Sequence, residues 1–198
     1  MRRGSLRLPS EIAWRLRAGN PWVYRDTFGN RPLSAGPGEA VDILDAEDGS
    51  FVARGLFDPE GPIAVRIFTR DPDERLDAQA LHRRVQAARR LRDAVLPPSD
   101  SPEAPAAYRV FHGEGDFLPG VTVDRYDEFL VVHCFTDSLT PHLPALYDAL
   151  QAVWQPRGIY IQRRFKPLGG EGPREPAELA RGELAPVELV IREGGLRF

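Results

Sequence analysis

At 198 residues, 42% hydrophobic and 28% charged, the chain has the composition of a soluble globular protein of one or two domains. No apolar run approaches a membrane span, the basic start MRRGSLRLPS lacks the apolar stretch of a secretory signal, and a single cysteine excludes an internal disulfide framework and points to a reducing cytoplasm. A net charge of −3 argues against wholesale nucleic-acid binding, yet sixteen basic and thirteen acidic residues lie up to Arg92, against ten and sixteen beyond it.

Ser10 to Ala18 predicts a short helix, with Ser10 as N-cap, Ile12, Ala13 and Leu16 as the apolar face and Gly19 as the stop. Asn20-Pro21 breaks it, and Trp22-Val23-Tyr24 begins an extended segment. Val41 to Asp45, Phe51 to Phe57 and Ile63 to Phe68 predict three strands, joined by the turn sequences AEDG and DPEG. Together these predict a small β-barrel-like module, residues 1–72.

Asp77 to Leu96 predicts the longest helix. Asp77 caps it, Leu81, Val85, Ala88, Leu91 and Val95 form one apolar stripe, and Pro97-Pro98 ends it. Pro97 to Ala107 reads as a linker. An α+β unit completes residues 73–198 in the order strand, strand, helix, strand, strand. It holds a hairpin after Gly120, a helix near Thr140 to Trp154 and a strand at Gly158 to Arg163. A loop with Gly169, Gly170 and Gly172 follows, and then a terminal hairpin of Leu189 to Ile191 and Leu196 to Phe198 around Gly194-Gly195.

The hairpin is entered through HGEGDFLPGVTVDRYDEFLVV, which starts at His112. Gly113, Gly115 and Gly120 punctuate it, and Pro119-Gly120 is turn chemistry. Glu114, Asp116, Asp124 and Asp127 read as turn-stabilising carboxylates, because their spacing fits no calcium loop and no histidine pair lies at ligand spacing. The glycines precede a strand instead of opening a helix, so they are no dinucleotide fingerprint. Cys134, inside an apolar run, reads as core. His82, His112, His133 and His142 lack zinc spacing, and His112 alone adjoins the glycine loop.

Arginine supplies almost all the positive charge, and Lys166 is the only lysine. Arg15, Arg17 and Arg25 flank Trp22, a pattern that can combine phosphate contact with base stacking, although Trp22 also suits a core position. Arg66 on the third strand and Arg83 and Arg84 on the long helix complete the candidate RNA-binding set. A solvated helix face is the alternative for the last two. Gln162-Arg163-Arg164 with Lys166 forms a further basic spot. No strand, glycine-rich loop and helix in sequence is available to hold a nucleotide or S-adenosylmethionine.

Three stretches carry a resemblance to a known family. GNPWVYRD at Gly19 looks like that family's Gly-His-Pro-Trp-Val-Phe segment, with Asn20 where His is usual. The run from Gly38 through Phe68, including ARGLFDPEGPIAVRI, looks like the strands of a PUA domain. YRVFHGEGDFLPGVTVDRYDEFLVV is similar to the central-domain signature. The chain thus resembles the N-terminal two domains of the PUA-domain-containing class I S-adenosylmethionine-dependent rRNA (cytosine-5) methyltransferases.

The resemblance implies an α+β chain: a PUA-like barrel that binds ribosomal RNA, then a central α+β domain. The Rossmann-like catalytic domain is expected to be absent, since VIREGGLRF resembles the segment just before it. The family's catalytic cysteine and S-adenosylmethionine site lie in that domain, so no catalytic, cofactor-binding or metal residue carries over, and no cofactor is expected on this chain. Gly113, Gly115, Asp116, Pro119, Gly120, Asp124 and Arg125 match the signature and are expected to be structural. GIYIQRRF departs from the acidic-Arg pair that commonly follows the tyrosine. The expected function is RNA binding and substrate presentation within a 23S rRNA methyltransferase in the cytoplasm, with neither membrane nor DNA as partner. A stand-alone, non-catalytic RNA- or ribosome-binding PUA protein is the competing reading.

Overall fold

The computed structural model describes residues 4–29, 35–98, 101–165, 176–193 and 196–198. Two five-stranded sheets, each with its own apolar core, make up the mixed α+β architecture.

The first sheet comprises β1 (Gly4–Leu8), β2 (Trp22–Tyr24), β3 (Ala40–Asp45), β4 (Phe51–Phe57) and β5 (Ile63–Thr69), in the order β1-β3-β4-β5-β2. The outer strands β1 and β2 do not pair among the described residues, so the expected barrel is an open hydrogen-bonded sheet. β1 lies parallel to β3 and was not expected from sequence. Its five residues are too few for the Leu6/Leu8 alternation to stand out, although Leu8 is fully buried.

Helix α1 (Ser10–Arg17) buries Ala13 and Leu16 against Val23, Ile43, Ala53 and Val65. Its cap differs from expectation: Pro9 is the N-cap, and the Ser10 hydroxyl donates to Asp45 Oδ1 at 2.7 Å. Proline serves there because it has no N–H to satisfy and fixes φ for the chain's entry. Arg70 holds the other end of α1, donating to the Leu16 and Asn20 carbonyls.

Helix α2 (Ala78–Val95) starts as predicted, with the Asp77 carboxylate accepting from Ala80 N–H at 2.8 Å. Leu81, Val85 and Ala88 are buried, but Leu91 and Val95 are exposed. The inward position one turn after Ala88 belongs to Arg92, whose guanidinium turns toward Asp116.

The second sheet runs β10-β9-β8-β7-β6 and comprises β6 (Ala107–His112), β7 (Val121–Tyr126), β8 (Phe129–Cys134), β9 (Gly158–Arg163) and β10 (Glu178–Gly182). The predicted unit lacked β6: the linker reading ends at Ala107, and Tyr108 to Phe111 fall in no predicted element because so short a run beside the glycine-rich loop shows little alternation. Val110 and Phe111 are in fact fully buried. Helix α3 (Leu143–Trp154) crosses between the parallel strands β8 and β9, preceded by a 3-10 turn at Asp137–His142. The terminal hairpin is reduced to β11 (Arg192–Glu193) and β12 (Leu196–Arg197). The expected loop at Gly169, Gly170 and Gly172, Lys166, and the Gly194-Gly195 turn lie outside the described residues.

The second core gathers Leu81 and Val85 from α2, Leu146 and Leu150 from α3, and Val110, Phe111, Val123, Leu130, Val132 and Ile159 from the sheet. Leu56 of β4 and Phe68 of β5 belong to it as well, so two strands of the first sheet contribute side chains to the second core. None of the described helices is long and apolar enough to cross a membrane.

Candidate nucleic-acid interface

The glycine-rich signature lies at the seam between the two sheets. Its 3-10 turn, Gly113–Asp116, connects β6 to the Phe117–Gly120 turn. Gly113 has φ +22°, and a Cβ there would stand 2.8 Å from the Val121 carbonyl oxygen. Gly120 has φ +92°, and its Cβ would meet Thr136 Cγ2 at 2.6 Å. Both positions therefore exclude side chains twice over, by backbone conformation and by space. Gly115 is looser, with its Cβ position 3.2 Å from the His112 ring, and Pro119 is buried.

Three carboxylates of the segment, Glu114, Asp116 and Asp124, are engaged by protein groups. Asp116 accepts from the His112 N–H at 2.6 Å and pairs with Arg92 at 2.9 Å. Glu114 accepts from the Trp22 indole N–H at 3.1 Å, joining the first sheet to the loop. Asp124 pairs with Arg109 at 2.8 Å and faces His133 Nε2 at 3.3 Å. Arg125 donates to the Asp127 carbonyl within its own turn. No group of residues fit to hold a metal ion occurs among the described residues.

A second polar chain crosses the seam beside the loop. Arg66 Nε lies 3.4 Å from Asp58 Oδ2, and the same carboxylate oxygen accepts from the Thr136 hydroxyl. Thr136 and Ser138 share a hydrogen bond of 2.9 Å, and the Ser138 carbonyl abuts Gly38, which adopts φ +72°.

The candidate RNA-binding residues fare differently from one another. Arg84 is withdrawn from that role: it is buried, and it donates to the carbonyls of Phe117, Ala80 and Phe68 and to Glu74. Arg25 is largely spent on the β4–β5 turn, donating to the Gly61 and Asp58 carbonyls. Arg17 binds Asp45 at 3.0 Å and Ser50 at 2.8 Å. Arg15 and Arg83 are each 54% exposed, with only a helix-face Glu11 pair and a 3.7 Å approach to Glu74 respectively. Such surface pairs exchange readily for a phosphate. Trp22 is half-buried and stacks edge-on with the exposed Tyr24 at 6.3 Å. Arg15 and Arg83 therefore remain presented, while Arg66 opens onto the seam. Sequence reasoning missed Asp58, Thr136 and the exposed Phe135, because nothing in their local pattern announces that a distant turn will meet them.

Cys134 is fully buried and donates to the Thr136 carbonyl, and burial pushes its thiol up to about 11, so it is inert as a nucleophile. Burial lowers His142, with a backbone hydrogen bond to Gly38 partly opposing it, and its Nε2 has no partner. Burial followed by the Arg164 charge lowers His133, which sits between Asp124 and Gln162. Both imidazoles take up a proton less readily in the fold than at the ordinary histidine value of 6.5, so below that pH the unfolded chain binds more protons than the folded one. Stability should therefore fall as pH drops below about 6.5. Melting temperatures measured from about pH 7.5 to 5.5 should decline, and His142→Gln should flatten the decline; an unchanged slope would contradict the assignment.

Residues 6–70 match the PUA-like domain family. Over 179 residues, 90% of this chain, it is 35% identical to ribosomal RNA large subunit methyltransferase I of Cronobacter sakazakii and 34% identical to that of Escherichia coli O157:H7. In each case the match covers 44% of the relative, so the chain spans less than half the length of the curated relatives it matches. Among solved structures, a Streptococcus mutans protein described as a SAM-dependent methyltransferase superposes with a TM-score of 0.82 at 18% identity, covering 98% of this chain and 47% of that one. A second, described as a methyltransferase complexed with SAH, gives the same values.

Proposed function

We propose that this chain, a PUA-like domain continuous with an α+β unit, is the RNA-binding and substrate-presenting part of a SAM-dependent 23S rRNA methyltransferase. The reading takes residues 1–72 and 73–198 as its two domains. The observation that carries it is identity of about one third to ribosomal RNA large subunit methyltransferase I, sustained across both sheets. The cytosine-5 chemistry is what the sequence resemblance adds.

The chain's share of such a reaction is to grip and orient RNA. Arg15 and Arg83 offer guanidinium forks to phosphates at low cost, since both guanidiniums are half-exposed and hold only a helix-face pair and a 3.7 Å approach. The cofactor would supply the methyl group. The described residues do not fit it: the strand-to-helix connections after β1, β5 and β8 contain no glycine to let a backbone cradle approach it. The methyl-transfer step is therefore assigned to sequence that the relatives carry outside the matched 44%.

Fluorescence anisotropy with folded 23S rRNA fragments tests the reading. Binding should weaken roughly 10²-fold between 50 and 200 mM salt if about four phosphates are contacted. No detectable binding at 50 mM salt would refute it.

A further inference from the structure

A cleft of about 300 Å³ opens at the seam, lined by Pro59, Pro62, Phe135, Phe165, Arg66 and Asp58 among others. We infer that this cleft is a pocket for a single unstacked nucleobase of a bound RNA, with guanine the best fit. The inference rests on the RNA-binding reading above and names a subsite for it.

The polar groups argue first. The Arg66 side chain is only 13% exposed, yet its one polar contact among the described residues is the 3.4 Å approach of Nε to Asp58. Among the described residues its two terminal nitrogens find no acceptor, whereas Arg84 and Arg92 at the seam use theirs on several. Asp58, itself buried, is the complementary half: Oδ2 takes Arg66 and the Thr136 hydroxyl, while Oδ1 accepts no hydrogen bond from a described residue. An open fork and an open carboxylate oxygen thus belong to one ion pair on the wall of one cleft, where a ligand can replace water on both.

The charge of the lining selects the ligand class. Asp58, Glu60 and Asp137 stand against Arg66 alone, which disfavours a bare phosphate or any other anion. A ligand presenting both donors and acceptors along one edge satisfies the pair without adding charge. Guanine does so: its O6 and N7 accept from an arginine fork, and its N1–H and N2–H donate to a carboxylate. The apolar lining supplies the faces. Phe135 leaves the buried β8 strand with 44% of its surface exposed, and Phe165 and the two prolines complete walls on which an unstacked base can lie.

The experiment uses labelled single-stranded RNA hexamers, all-uridine or with one central guanosine, adenosine or cytidine, read by anisotropy. The guanosine hexamer should bind roughly 10-fold tighter than all-uridine. Phe135→Ala, at an exposed position, should remove most of that gain while leaving the melting temperature within a few degrees. Arg66→Lys keeps the charge beside Asp58 but loses the fork, and should erase the guanosine preference. Equal affinity for all hexamers, or a Phe135→Ala protein that keeps the preference, overturns the pocket. If the wild type binds the folded 23S fragment while failing either of these, only the pocket falls; if it binds no RNA at all, the RNA-binding reading falls with it.

Discussion

Arg84→Met should cost about 3 kcal/mol of folding stability, the largest loss expected from a single arginine in this chain. The side chain has 9% exposure and reaches both modules: Phe68 carbonyl on β5 at 2.9 Å, Phe117 carbonyl on the signature loop at 2.9 Å, and Glu74 at 3.1 Å. Methionine fills the volume but leaves two carbonyls unpaired at the seam and Glu74 without its buried partner. Arg84→Lys, which supplies a point charge but not the spread of donors, should recover less than half of the loss. Urea denaturation measures both. A loss below about 1 kcal/mol for the methionine variant would mean that the seam repacks or hydrates freely, and that Arg84 is no strap.

Asp116→Ala should be comparably severe, at about 3–4 kcal/mol. Asp116 and Arg92 are 8% and 12% exposed and lie 2.9 Å apart. Removing the carboxylate strands a guanidinium between α2 and the loop and deprives the His112 N–H of its acceptor. Asp116→Asn keeps an acceptor for the N–H and should lose roughly half as much. Thermal or urea unfolding with and without divalent cations checks the loop's role as well. Losses of this size that metal ions leave unchanged agree with a carboxylate committed to Arg92. A metal-dependent melting temperature that vanishes in Asp116→Asn would return this loop to the cation-binding reading.

Much of the architecture was legible because its signals are local. Asp77 capping α2, the turns AEDG and DPEG, and the apolar run of β8 each announce themselves within a few residues. β9 was read with its observed bounds for the same reason. β1 and β6 were not, because short strands earn their assignment from partners: β1 exists by pairing with β3, about 37 residues away in the register of Gly4 with Val41. The candidate site divides the same way. Composition marked the arginines but could not separate Arg84, consumed by four acceptors, from Arg83 one residue earlier, which faces solvent. Helical periodicity puts about 100° between such neighbours, and only the packing of α2 on the sheet decides which of them turns inward. Asp58 and Thr136, 78 residues apart, carried no sequence signal of their meeting.

Leu56 and Phe68, strand residues of one sheet sunk into the core of the other, have a consequence for recognition. A hinge would let the two halves adjust to whatever RNA arrives. Here the angle between them is set by side chains that cannot leave without exposing apolar surface to water. Under the RNA-binding function proposed above, the molecule would work as a fixed caliper: an RNA whose phosphates and splayed base match the preset span would bind without any ordering of the protein, and one that does not match would itself have to bend. Discrimination among RNAs would rest on their shape, with the protein supplying the ruler.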